Sequence, residues 1–237
     1  MEVEDPVDPT AGLGGPELEG FEGWNTLGPV MLGPSASHAW RTDPRRFPIT
    51  LARYKHVAKL LAGKQRALEV GCGDGYNGRI VLQTVPSLHG VDISAVQIAW
   101  AQAHARRERL NATYAVADVL AAPIAGSYDA MFSLDVIEHI PPELESTFLR
   151  NLVAPLDRDA VGIVGTPNIH SEAHASRWSR EGHINLKSAD TLRAALEPFF
   201  QNVFVFSMND EVLHTGFYPM AHYLFALCAG VGRDASD

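Results

Sequence analysis

Arg-Ala-Leu-Glu-Val-Gly-Cys-Gly-Asp-Gly-Tyr-Asn-Gly-Arg, residues 66–79, is the stretch from which the rest of the chain is read. Residues 67–70 are a short apolar run of the kind that makes a buried parallel strand. Gly71, Gly73 and Gly75 follow it, and then a helix-like segment, which together spell strand, tight turn and helix start. Glycine tolerates positive φ and lets a ligand approach bare backbone, while the first turn of the next helix offers free N–H groups. A nucleotide-like ligand is expected at this turn.

The remaining letters narrow the ligand. A dinucleotide fingerprint counted from Gly71 requires glycine at position 76, where the chain has Tyr76. Asp74 also puts a carboxylate beside the helix start, so a pyrophosphate would meet like charge. A cofactor with an amino acid end and a nucleoside end fits better. On residues 69–75, an acid followed by G-x-G-x-G, the chain resembles class I S-adenosylmethionine-dependent methyltransferases. The order of later motifs carries that resemblance from about residue 68 to the end of the chain. It implies a Rossmann-like α/β fold, a doubly wound, mostly parallel seven-stranded sheet whose last strand is reversed. It also implies S-adenosylmethionine as cofactor, with Glu69, Gly71, Cys72, Gly73 and Gly75 in its first motif.

Composition bounds the alternatives. A chain of 237 residues with 46% hydrophobic content buries one sizeable core. The formal net charge of -9 opposes tight nucleic-acid binding, which needs a basic face. Cys72 and Cys228 are too few for a disulfide framework and fit a reducing compartment. The acidic start and the short apolar run at 223–231 predict neither leader nor membrane insertion, and so a cytoplasmic protein. The expected partner is a small-molecule acceptor, with a homodimer left open.

Residues 1–35, rich in Gly, Pro and acids, read as a flexible arm or a lid, and residues 36–237 as the methyltransferase domain. Trp24, Met31, Leu32 and Trp40 are the arm's apolar exceptions. Residues 47–62 have helical periodicity, and among Arg41, Arg45, Arg46 and Arg53 one is a candidate for the cofactor carboxylate, the others being surface charges. Helices are expected at 77–85, 94–110, 143–156 and 188–196, and strands at 87–93, 113–119, 128–137, 160–165, 200–206 and 223–229.

Asp92 ends the second strand, where a doubly wound sheet binds ligands, and suits a ribose diol; Ile93 lies beside it. Residues 117–119 resemble the family motif in which Asp118 accepts from the adenine amino group while the Val119 N–H meets the ring. Residues 134–140 resemble the D/E-V-I-E-H segment of small-molecule O-methyltransferases of the ubiquinone-biosynthesis type, with Leu134 on the cofactor side. Asp135, Glu138 and His139 are the catalytic candidates. Either His139 is a general base, or the three hold a divalent cation such as Mg²⁺ that activates the acceptor. Residues 166–187 exceed ordinary loop length and read as a substrate loop. Asn168, His183, Asn209 and His214 are candidate substrate contacts, the last two being equally compatible with a plain turn.

The expected activity is methyl transfer to a hydroxyl of a small metabolite, sugar or quinol-like. Two rivals stay open: an N-methyltransferase of an amino sugar or small amine, and a non-catalytic S-adenosylmethionine-binding module.

Overall fold

The computed structural model describes residues 20–232. Two compact units divide the chain, Met1–Met31 and Leu32–Asp237. In the first unit the described residues contain helix α1 (Glu22–Leu27). The expected arm falls partly on residues 1–19, which lie outside the described residues, and its last residues, from Leu32 on, belong to the second unit.

The second unit is built on one sheet. Its strands are β1 (Arg66–Val70), β2 (Ser87–Asp92), β3 (Ala112–Val116), β4 (Tyr128–Leu134), β5 (Leu156–Pro167), β6 (Phe200–Asn209), β7 (Val212–His214) and β8 (Tyr223–Val231). They lie in the order β3-β2-β1-β4-β5-β8-β6-β7. β1 to β5 pair in parallel, and β8 runs antiparallel between β5 and β6. The sheet thus has its last strand reversed, as the resemblance implies, and inserted between β5 and β6. An eighth, three-residue strand, β7, folds back on β6 at the edge.

Helices cover both faces: α2 (Pro34–Thr42), α3 (Arg46–Leu60), α4 (Gly78–Val81), α5 (Ala95–Arg107), α6 (Glu145–Val153), α7 (Arg177–Gly182) and α8 (Ala189–Leu196). The strand period of two divides the core. On one face Leu68, Val70 and Met131 pack with Phe148 and Leu152 of α6 and Leu192 of α8. On the other, Ala67, Phe132 and Leu134 pack with Tyr54 and Val57 of α3 and with Val81. α3 buries Tyr54, Val57, Ala58 and Leu61, the stripe its spacing predicts. α4 is shorter than expected, one turn in place of residues 77–85; Pro86 disfavours helix in the residue before it. α5 begins at Ser94, whose hydroxyl accepts from the Gln97 N–H.

Parallel strands bring β1, β2, β4 and β5 to one edge with their carboxyl ends together. The loops that leave this edge carry the polar residues considered next.

Candidate active site

The glycine turn has the backbone that its residues demand. Gly71, Gly73 and Gly75 have φ of 83°, 54° and 69°, values that strain a residue with a side chain. Crowding adds a second reason. A Cβ on Gly71 would stand 2.2 Å from Val136 Cγ2, and one on Gly75 2.8 Å from Ala101 Cβ. The three glycines do different work. Gly71 lines a cavity, Gly75 admits α5, and the Gly73 N–H donates to Asp92 Oδ2 at 2.9 Å. Asp74 bridges two segments: its Oδ1 accepts from the Tyr76 N–H of its own turn at 3.4 Å, and its Oδ2 from the Ala36 N–H at 3.0 Å, which caps α2 from outside that helix and leaves no room for a side chain at Gly33.

The cavity beside Gly71 has a volume of about 490 Å³. Asp92 sits on its wall at the end of β2, held by the N–H groups of Gly73 and Ser94, the latter donating to Oδ1 at 2.9 Å. A carboxylate has about four acceptor sites, so two remain for a diol. Ile93 and Asp118 line the same cavity, the first 71% exposed and the second with its Oδ1 accepting from the Leu120 N–H. Val119 closes the floor. An acceptor pair for hydroxyls, an exposed apolar residue and bare glycine backbone together suit a nucleoside with an amino acid end.

Five expected cofactor residues do not line this cavity: Gly73 and Gly75, which shape the turn, and Glu69, Cys72 and Leu134. Glu69 is buried beneath the turn, where its Oε1 accepts from the Tyr54 hydroxyl at 2.7 Å, and it does not line the cavity. Burial, with Asp92 and Asp74 nearby, pushes its pKa up to about 8, so it is a neutral acid near pH 7. The Cys72 side chain packs with Ile98, Ala101 and Tyr114 under α5, and burial raises its pKa, which leaves it a packing group. Leu134 points to the α3 face of the sheet, because the pleat alternates and Asp135 is the first residue past the strand.

Asp135 and His139 line that cavity and a second one of about 480 Å³. Asp135 adopts φ 57°, and its N–H donates to the Gly165 carbonyl. Its carboxylate accepts from Arg53 Nη1, at 3.1 Å to Oδ1 and 2.8 Å to Oδ2. Sequence reading placed Arg53 among four arginines of which one was a candidate for the cofactor carboxylate; it pairs instead with the Asp135 side chain. Only 15% of its side chain is exposed, and its guanidinium lies over the Tyr223 ring, 3.6 Å from the centroid. Burial opposes its charge, yet Asp135 keeps its pKa above the ordinary arginine value. Its position in α3 one residue before Tyr54 was a signal, since a helix stripe carries its neighbour to the same sheet edge.

Glu138 is fully buried. Its Oε2 accepts from the Thr166 hydroxyl at 3.0 Å and its Oε1 has no partner. Burial first, and Asp135 second, raise its pKa to about 8, so it too is protonated near neutral pH. His139 Nδ1 lies 2.9 Å from the Gly182 carbonyl. A carbonyl only accepts, so Nδ1 carries the proton and Nε2 of the neutral ring keeps its lone pair. His183 stands edge-on to it, ring centroids 5.0 Å apart, and burial first, then His139, lower its pKa below the ordinary histidine value.

The long substrate loop is an ordered excursion. Asn168 bridges to Lys187 at its base, and the Ile169 N–H donates to the Lys187 carbonyl at 2.8 Å. Inside it, buried Lys187 pairs with Glu145 and donates to Asn185 Oδ1 at 2.9 Å. Ser171, Ser179, Arg180 and His183 from the excursion line the second cavity. Asn168 also borders it, but its amide is spent: Nδ2 donates to the Tyr218 and Ala221 carbonyls, and Oδ1 accepts from the His170 N–H. It clamps the excursion and has little left for a substrate. Asn209 and His214 belong to the β6–β7 hairpin at the far sheet edge and line neither cavity. They serve that turn, Asn209 Oδ1 accepting from the His222 N–H and His214 Nδ1 from the Gly216 N–H.

The expected metal set does not assemble as proposed. Asp135 is taken by Arg53, and among the described residues Glu138, His139 and His183 are the group whose ligand atoms fall within 4.8 Å of one another. That set offers Mg²⁺ one oxygen, on a neutral acid, where Mg²⁺ seeks oxygen ligands. The residues do not fit this cation, and no step is derived through it.

Comparison with known proteins agrees with the geometry. A protein-family model described as a methyltransferase domain matches residues 67–159. The ubiquinone biosynthesis O-methyltransferase of Nitrosococcus oceani is 34% identical over 114 residues, covering 44% of this chain and 48% of that protein. The enzyme of the same name from Burkholderia orbicola is 31% identical over 123 residues, covering 51% and 44%. The chain thus spans about half the length of these curated relatives. Among solved structures, the N-methyltransferase NodS from Bradyrhizobium japonicum, in complex with S-adenosylhomocysteine, is similar at TM-score 0.60 and 20% identity, over 83% of this chain and 96% of that one. An S-adenosylmethionine-dependent methyltransferase from Clostridium acetobutylicum reaches TM-score 0.66 at 10% identity, over 83% and 98%. No described helix is long and apolar enough to cross a membrane. The glycine turn, the reversed β8 and the match over residues 67–159 make this chain similar to the S-adenosylmethionine-dependent methyltransferases, with a methyltransferase domain matched over those residues.

Proposed function

We propose that this protein moves a methyl group from S-adenosylmethionine to a hydroxyl of a small molecule, with His139 as the base. The observation that carries the reading is the pair of adjoining cavities whose shared wall is Asp135 and His139. Gly71, Asp92, Ile93, Asp118 and Val119 would hold the cofactor on one side. When bound, S-adenosylmethionine supplies an electrophilic methyl carbon, whose bond to sulfur breaks with its electron pair going to sulfur as the acceptor oxygen bonds to carbon. His139 Nε2 takes the proton of the acceptor hydroxyl. The Gly182 carbonyl holds the ring in the tautomer that can do so, and stabilises the imidazolium once formed. Arg53 neutralises Asp135 and fixes it at the junction, so the protein mainly supplies position.

Replacing His139 with Ala tests the reading. A hydroxyl acceptor predicts a kcat lower by roughly 10²–10⁴-fold with S-adenosylhomocysteine affinity unchanged. Near-full activity would favour methylation of a neutral amine, which needs no strong base. Binding of S-adenosylhomocysteine with no turnover on any acceptor would favour a non-catalytic module.

A further inference from the structure

The two cavities differ in kind. The cofactor side is walled largely by Val70, Val91, Ile93, Val119 and Phe148. The adjoining side has hydroxyls and charges, with Pro167, Ala175 and Leu186 as its few apolar walls. At about 480 Å³ it lies toward the small end of ligand pockets, which run roughly 300–1,000 Å³. A long apolar tail has no complementary surface there.

Charge gives the second observation. Arg46, Arg53 and Arg180 line this cavity against Asp135 and Glu172. Three guanidinium groups thus converge on one cavity in a chain of formal net charge -9. Arg53 is spent on Asp135. Arg46 makes no side-chain hydrogen bond or ion pair among the described residues, and Arg180 uses Nη1 on the Ala175 carbonyl, leaving its other donors. Guanidinium groups match oxyanions with paired donors. Glu138 supplies the third observation: a fully buried wall of the cavity whose Oε1 is left without a partner, an arrangement that costs free energy until a ligand meets it.

We propose that the acceptor is a compact, hydroxyl-rich molecule bearing one oxyanion, a carboxylate or a phosphate, with that anion on Arg46 and Arg180 and a polar oxygen on Glu138. The inference rests on the methyltransferase reading for the role of the site and departs from an apolar quinol-like acceptor. Charge-assisted hydrogen bonds are stronger than neutral ones, so the anion should carry at least about a tenfold preference.

The full chain saturated with S-adenosylhomocysteine is titrated calorimetrically with glucuronate, glucose 6-phosphate, glucose and a prenylated catechol. One of the anionic sugars should bind at least about tenfold more tightly than glucose, and which of the two does so identifies the oxyanion. Joint replacement Arg46→Ala and Arg180→Ala should abolish that preference, with glucose and S-adenosylhomocysteine affinities unchanged. The inference is overturned if the prenylated catechol binds as tightly as the anions, if the preference survives both replacements, or if neither anionic sugar binds at millimolar concentration. Failure of S-adenosylhomocysteine to bind would instead overturn the methyltransferase reading, and the same four titrations on the protein alone then decide this one.

Discussion

Replacing Glu138 with Gln should flatten the dependence of stability on pH. Glu138 has its pKa raised from an ordinary 4.5 to about 8. Between those values the folded protein holds a proton there that the unfolded chain has released. A group raised in this way stabilises fully below its unfolded pKa, and the contribution is lost as pH rises through the folded value. Each pH unit is worth about 1.36 kcal/mol, so from about pH 5.5 to about pH 8 the loss from this one residue approaches 3 kcal/mol. Glu69 is buried with the same raised value and should lose a similar amount over the same range. Gln is the isostere of the neutral acid: it can accept from Thr166 as Glu138 Oε2 does and cannot ionise. Urea unfolding midpoints at the two pH values, converted through a common slope, should show the variant losing about half as much as the parent. Methyl transfer should persist, because the amide retains a donor where the acid has one. Parallel stability profiles for variant and parent would refute the reasoning, since they would mean that Glu138 is ionised in the folded protein.

Gly71→Ala should cost at least about 2 kcal/mol, combining the left-handed backbone penalty of roughly 1–2 kcal/mol with the contact against Val136; an unchanged thermal midpoint would contradict this. Lys187→Ala breaks a pair whose side chains are 9% and 18% exposed, with Glu145 and Asn185 left facing each other. A fully buried pair would cost about 3–5 kcal/mol; allowing for that exposure, about 2–3 kcal/mol is expected, with faster proteolysis within residues 168–187. A cleavage rate equal to the parent's would show that the pair does not anchor the excursion.

Local pattern made the frame of this site legible. The turn glycines, Asp92 and Asp118 sit where strand ends must place them, and the last strand, β8, is reversed as the resemblance implies. What escaped was set by partners distant in sequence. Arg53 is not separable from Arg41, Arg45 and Arg46 until Asp135, 82 residues on, and the Tyr223 ring enclose it. Asn168 reads as a free amide until the Tyr218 and Ala221 carbonyls take both its donors. Asn209 and His214 suit either a site or a plain turn by type; the β6–β7 hairpin, with Asn209 ending β6 and His214 ending β7, places them at the far edge. Glu69 shares β1 with the wall residue Val70 but falls under the turn, and Leu134, one residue before the wall residue Asp135, falls on the opposite pleat.

A crystal structure with S-adenosylhomocysteine bound is the most direct test. Its ribose hydroxyls should lie on Asp92, its adenine between Ile93 and Asp118, and its sulfur at the wall formed by Asp135 and His139, with the arginine-lined cavity still open beyond it. A ribose away from Asp92, or a ligand seated in the arginine-lined cavity instead, would contradict the account.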